Sequence, residues 1–141
     1  MEWRNEQGEL HRVDGPAKIG AGGHQEWFLN GQLHRADGPA VTYPDGNQTW
    51  YLNGQRHRDD GPAIVKTDGT LEWWVDGKRH RVDGPAIIDW DGYQAWWLNG
   101  QRHRADGPAR IFSYGTQEWW FNGQQMTQFE VWVLTGAKEI A

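Results

Sequence analysis

Hydrophobic and polar positions in this chain recur every 23 residues, with no helical period inside the unit. Residues 60–82 show one full turn of the pattern. Asp60-Gly61-Pro62 forms a turn, because glycine tolerates unusual φ while proline fixes φ and lacks a ladder donor. Ala63 to Thr67, with Ile64 and Val65, reads as a short strand. Asp68-Gly69 is a hairpin signal, echoed by Asp45-Gly46 and Asp91-Gly92. Thr70 to Val75 reads as the return strand. Asp76-Gly77-Lys78 is a second tight turn, and Arg79-His80-Arg81-Val82 leads into the next unit. Turn signals at intervals of about 8–12 residues exclude helices here and predict an all-β chain. The expectation is two antiparallel strands per unit and an elongated, twisted meander of about five hairpins.

Strand alternation assigns the faces. Trp73 and Val75 point one way, as do Trp27/Leu29, Trp50/Leu52, Trp96/Leu98 and Trp119/Phe121. On the first strand Ala63 and Val65 share a face, as do Ala86/Ile88 and Ala109/Ile111. These sets are the expected buried side. The other face carries a second aromatic row, Phe28, Tyr51, Trp74, Trp97 and Trp120, beside Glu26, Thr49, Glu72, Ala95 and Glu118.

Fixed landmarks lock the register. Asp-Gly-Pro-Ala stands at 14–17, 37–40, 60–63, 83–86 and 106–109, with His-Arg starting three residues before each Asp. Such a period implies a stacked array in which each unit buries its apolar face on its neighbours. A recurring residue is therefore scaffold first and candidate chemistry second. Residues 1–10 read as a partial copy or N-terminal cap, 11–125 as the array, and 126–141 as a C-terminal cap. Thr127-Gln128-Phe129-Glu130 fits a capping box with Phe129, Trp132 and Val133 at helical spacing, so a helix is expected over 127–135, stopped by Gly136.

Composition sharpens this picture. Eleven tryptophans, nineteen glycines and few aliphatic residues mean that burial comes from flat rings. A net charge of −5 with four lysines disfavours a nucleic-acid partner. The absence of cysteine removes any thiol nucleophile. The N-terminal Met-Glu-Trp-Arg-Asn-Glu lacks a basic region followed by an apolar run, and no stretch approaches the ~18 apolar residues of a membrane span. No signal peptide, no membrane span and a cytoplasmic location are expected. The sequon at Asn47-Gln48-Thr49 reads as chance.

The recurring polar residues invite a chemical reading, which spacing constrains. With strands about 4.7–4.9 Å apart, equivalent residues in successive hairpins stand roughly 10 Å apart. Zinc ligands lie about 2.0–2.2 Å from the metal, so the five periodic histidines form a row rather than a cluster, and neither metal nor cofactor is expected. Arg12, Arg35, Arg58, Arg81 and Arg104 are expected to pair with aspartates of the same or adjacent unit or to stack on aromatics. The same Arg row could instead grip a partner's carboxylate or phosphate. The second aromatic row is either covered by the sheet's own loops or a shelf for an extended peptide, whose polyproline II turn of three ~3.1 Å residues matches the spacing, or for a polysaccharide. No nucleophile elbow, phosphate loop or HExxH occurs, Ser113 is the only serine, and catalytic residues are expected to be none. A carboxylate pair such as Glu72 with Asp89 is the weaker, enzymatic alternative.

The run Asp68-Gly69…Trp74-Val75-Asp76-Gly77-Lys78-Arg79-His80 resembles the MORN repeat, which has the same period and the pattern DG…W-x-NG-K-x-H-G-x-G. The likeness covers about 10–125, and is greatest to the bacterial and viral variant marked by HR-x-DGPA. Three departures stand out. Residues such as Thr70-Leu71-Glu72 replace the family's Tyr-x-Gly. Arg replaces the glycine after each His, and Asp-Gly-Pro-Ala replaces the following Gly-x-Gly. The resemblance implies a twisted sheet of hairpins acting as a non-catalytic scaffold or protein-interaction module, and its bacterial and phage company implies action on a host protein. Lipid binding known in the family does not carry over to this acidic chain. A protein partner is expected, and monomer and simple homodimer both stay open.

Overall fold

The computed structural model describes residues 1–136. It is an all-β meander: one eleven-stranded antiparallel sheet, four separate two-stranded ribbons and one short C-terminal helix among the described residues. Each repeat contributes two hairpins rather than one. In the third unit Ile64–Val65 pairs with Leu71–Glu72 in the large sheet, and Trp74–Val75 pairs with Lys78–Arg79 in a ribbon. The large sheet runs on because Leu71–Glu72 also pairs with Ile87–Ile88 of the next unit.

The expected return strand from Thr70 to Val75 is broken at Trp73, and the hydrogen bonds show why. The Trp73 N–H donates to the Ala86 carbonyl at 2.7 Å, in the large-sheet layer, while its carbonyl accepts the His80 N–H at 3.1 Å, in the ribbon. Trp27, Trp50 and Trp96 repeat this split, as does Trp3 at the N-terminal partial copy. The first tryptophan is thus a node between two layers, and strand alternation does not carry across it. The last unit lacks the break: Gln117–Phe121 runs straight through Trp119.

Turn chemistry sets both hairpins. In the ribbons Asn30-Gly31, Asn53-Gly54, Asp76-Gly77, Asn99-Gly100 and Asn122-Gly123 hold φ of 47–51° at the first residue and 76–80° at the glycine. Two consecutive left-handed residues make the two-residue turn whose twist suits a hairpin. In the large sheet, Asp45, Asp68 and Asp91 accept the N–H two residues on, at 2.8–3.0 Å, ahead of glycines 46, 69 and 92 at φ 91–98°.

The core is thin. Ala17, Ala40, Ala63, Ala86 and Ala109 have no exposed surface, and Val41, Ile64 and Ile87 are buried beside them. Ile64 and Ile87 rather than Val65 and Ile88 are the buried partners, which corrects the face expected from alternation. On the side of the sheet that carries Glu72, the ribbon residues Trp74 and Arg79 bond Glu72, and its cross-strand partners Ile64 and Ile87 are buried.

The C-terminal helix spans Gln128–Thr135, with Thr127 and Glu130 forming the reciprocal capping box and Gly136 closing it at φ 69°. It packs on Gln117–Phe121. Val131 is buried and Trp132 half-buried, whereas Phe129 and Val133 are exposed. The helix is therefore rotated from the expected 129/132/133 stripe, and docks through Val131. The final residues of the expected 126–141 cap, 137–141, lie outside the described residues.

Candidate functional site

The Arg row has one arrangement, repeated five times. In each unit the guanidinium lies over the ring of the first tryptophan, with Arg12, Arg35, Arg58, Arg81 and Arg104 3.8–4.1 Å from the centroids of Trp3, Trp27, Trp50, Trp73 and Trp96. Nε donates to the aspartate two residues on at 2.9–3.1 Å. A terminal nitrogen donates to the carbonyl of Pro16, Pro39, Pro62, Pro85 or Pro108 at 3.0–3.3 Å. The glycine between that Asp and Pro is packed so tightly that a Cβ built on it would stand 2.7–3.1 Å from the guanidinium carbon. The arginine is a slab between an indole and a loop backbone. Its side chain is 23–28% exposed and its aspartate partner 85–87% exposed.

The histidine row joins repeats. Nδ1 of His11, His34, His57, His80 and His103 accepts the backbone N–H of Asn30, Asn53, Asp76, Asn99 and Asn122 in the following unit, at 2.9–3.0 Å. That bond requires a neutral ring with the proton on Nε2. Burial holds the His103 pKa below its ordinary value. His57 additionally meets Asp59 through Nε2 at 3.0 Å. Among the described residues no three His, Asp or Glu side chains converge as a metal site would require.

The second aromatic row is half-buried throughout. Its last three rings interleave with arginines that sequence reasoning did not single out. Trp74 lies between Arg56 and Arg79, at 5.1 and 4.9 Å. Trp97 lies between Arg79 and Arg102, at 5.4 and 4.9 Å, and Trp120 takes the other side of Arg102 at 4.7 Å. This Arg–Trp ladder has a sequence signal: Arg56, Arg79 and Arg102 each precede the periodic His. A two-residue turn then places each opposite the second aromatic, as in Trp74↔Arg79 and Trp97↔Arg102. No ladder contact joins Phe28, whose cross-strand partner is Leu33.

Carboxylates line the same face. Glu72 accepts from Trp74 Nε1 at 3.4 Å and pairs with Arg79 at 3.5 Å. Glu118 accepts from Trp120 Nε1 at 3.0 Å and pairs with Arg110 at 3.5 Å. Asp89 stands two residues beyond Ile87, the cross-strand partner of Glu72. Burial raises the Asp89 pKa, with smaller contributions from Asp91 and then Glu72.

Between successive Asp-Gly-Pro loops three equivalent grooves open, of about 530, 890 and 650 Å³ along the chain. Each is lined by a first-row tryptophan and the aliphatic residue two positions on: Trp50/Leu52, Trp73/Val75 and Trp96/Leu98. No protein-family model matches the chain, and no curated protein matches it. Among the described residues no helix is long and apolar enough to cross a membrane.

Proposed function

We propose that this chain is a non-catalytic repeat scaffold of the MORN-like kind that engages a protein partner along its length. The observation that carries the reading is the set of three equivalent grooves. A shallow surface repeated in line suits an extended partner, whereas a small substrate is held in one enclosed, unique pocket. The recurring His, Arg and Asp are consumed in joining repeats and bracing loops, which leaves no poised nucleophile or base among them. Glu72 pairs with Arg79 and accepts from the Trp74 indole, which also disfavours a Glu72–Asp89 catalytic pair. Occupation of the Trp74, Trp97 and Trp120 faces by guanidiniums gives the alternative, a shelf on which a peptide or polysaccharide stacks against the rings of the second aromatic row, less support than the grooves.

The resemblance to bacterial and viral repeats makes a bacterial host protein the partner to seek, with a cytoplasmic meeting place. The test is crosslinked capture from bacterial lysate with the full chain as bait, compared with a bait carrying Leu52→Glu and Val75→Glu in the grooves. A protein held by the first bait and lost from the second is the expected result. Equal retention by both baits would remove the grooves from the reading. A substrate screen with a turnover silenced by Glu72→Gln would replace the whole of it with an enzyme.

A further inference from the structure

The acidic row on the ladder face alternates. Along the sheet it reads Glu26, Thr49, Glu72, Ala95, Glu118. At positions 72 and 118 the carboxylate accepts the indole N–H of the tryptophan two residues on and meets a guanidinium. The same surroundings are built around position 95: Trp97 two residues on, Arg102 paired across the ribbon with Trp97, and Arg110 paired across the sheet with Ala95. Only the acceptor differs.

The donors register that difference. Four buried side-chain nitrogens among the described residues lack a hydrogen-bond partner, and two of them, Trp97 Nε1 and Arg102 Nε, stand at position 95; Arg79 Nε is a third, on a guanidinium that already meets Glu72. A buried, unpaired donor is destabilising and favours any acceptor that reaches it. Arg110 meets Glu118 through a terminal nitrogen at 3.5 Å and gives its Nε to the neutral Tyr93 hydroxyl at 2.9 Å. Burial, and then the proximity of Arg110, lower the Arg102 pKa, against an opposing pull from Tyr93 and Glu118.

Position 49 shows the same shortage in open form. A depression of about 320 Å³ there is lined by Thr49, Trp74 and three cations, Arg56, Lys66 and Arg79, against the single carboxylate of Glu72. The lining of this depression therefore carries three cations and one carboxylate on a chain of net charge −5.

We propose that this face binds an acidic, extended segment of a partner protein, one carboxylate seating at Ala95 among Trp97, Arg102 and Arg110 and another in the depression at Thr49. The array itself supplies the template for the ligand, because Glu72 and Glu118 satisfy the same donor set from within. The two positions are two repeats apart, four strand spacings of about 4.7–4.9 Å, or roughly 19 Å. An extended chain at about 3.3–3.6 Å per residue covers that distance in six residues or slightly fewer. Ala95 is fully covered, so an arriving carboxylate meets the outer guanidinium nitrogens first and reaches the indole as those side chains move aside. The inference rests on the interaction-module reading and names the chemistry of its partner.

The experiment follows the Trp97 indole N–H resonance of the full chain, assigned with a Trp97→Phe variant, during titration with a synthetic peptide bearing glutamates six residues apart. The expected result is a saturable shift of that resonance, weakened at least several-fold by raised salt and absent with the glutamine version of the peptide. Ala95→Glu fills the position from inside and should lower peptide affinity at least tenfold without altering the β circular dichroism. No shift with the acidic peptide, or equal binding by Ala95→Glu, would overturn the proposal. So would acetate at equal carboxylate concentration giving the same shift, since no partner segment would then be needed. Loss of the peptide result while groove-dependent protein capture persists would remove this inference and leave the scaffold reading standing.

Discussion

Nδ1 of His103 accepts the backbone N–H of Asn122 at 2.9 Å, joining one repeat to the turn of the next. Protonation destroys that acceptor. Burial keeps the His103 pKa low in the folded chain, so between that lowered value and the ordinary ~6.5 the unfolded chain binds the proton more readily. The stability that neutral His103 contributes is complete above about pH 6.5 and is lost as pH falls through the window below it. Urea unfolding between neutral and mildly acidic pH should show this decline, and His103→Ala should flatten it at a cost of about 1 kcal/mol at neutral pH. An unchanged slope in the variant would assign the decline to other groups.

Arg81 illustrates which half of an ion pair matters. Its guanidinium rests 3.8 Å from the Trp73 centroid and donates to the Pro85 carbonyl, while Asp83 stands almost wholly in solvent. Asp83→Asn should cost less than ~1 kcal/mol, as exposed pairs do. Arg81→Ala should cost about 2–3 kcal/mol, from a charge-assisted hydrogen bond and a cation–π contact together. Gly84→Ala should be damaging only by pushing that slab off its ring, because its Cβ would stand 2.9 Å from the Arg81 guanidinium carbon, while its φ, which is not left-handed, adds no backbone strain. The double variant Arg81→Ala/Gly84→Ala should be little worse than Arg81→Ala alone, since the new Cβ then has no guanidinium to displace. Additive losses in a denaturation cycle would show that the glycine serves another purpose.

The ladder rings are structural by their contacts. Trp74→Ala and Trp97→Ala should each lower stability by roughly 2–3 kcal/mol, below the ~3–5 kcal/mol of fully buried rings. Loss of the thermal transition in the double variant is expected. A double variant that melts normally while losing its partner would restore the shelf.

Asp89 carries the opposite sign to His103. Its raised pKa means that the fold favours the neutral carboxyl, so at neutral pH ionised Asp89 costs stability, and the fold regains it as pH falls through the raised value. Asp89→Asn should raise Tm at pH 7 and have little effect near pH 4. A variant less stable at both pH values would show that the carboxylate has a partner it needs.

Much of this architecture was legible because the 23-residue spacing fixed every landmark at once. The turns at Asp68-Gly69 and Asp76-Gly77, the capping box at Thr127 and Glu130, and the pairing of Arg with the Asp two residues on all follow from local chemistry. The second hairpin was hidden by Trp73-Trp74. Strand alternation treats these as consecutive residues of one strand, whereas Trp73 divides its N–H and C=O between two layers. That division depends on the next repeat and has no local signature. The His-to-turn bond was missed for the same reason, because its partners are 19 residues apart. The Ala95 position was visible as a letter, and only the orphaned donors around it give the letter meaning.

Because every junction uses the same His-to-turn and Trp-to-Ala bonds, removing or duplicating one internal unit leaves the flanking junctions chemically unchanged. The protein behaves as a ruler graduated in steps of about 10 Å. Length can then vary between relatives or in engineered versions without inventing a new fold, and the reach of the molecule becomes a quantity set by counting.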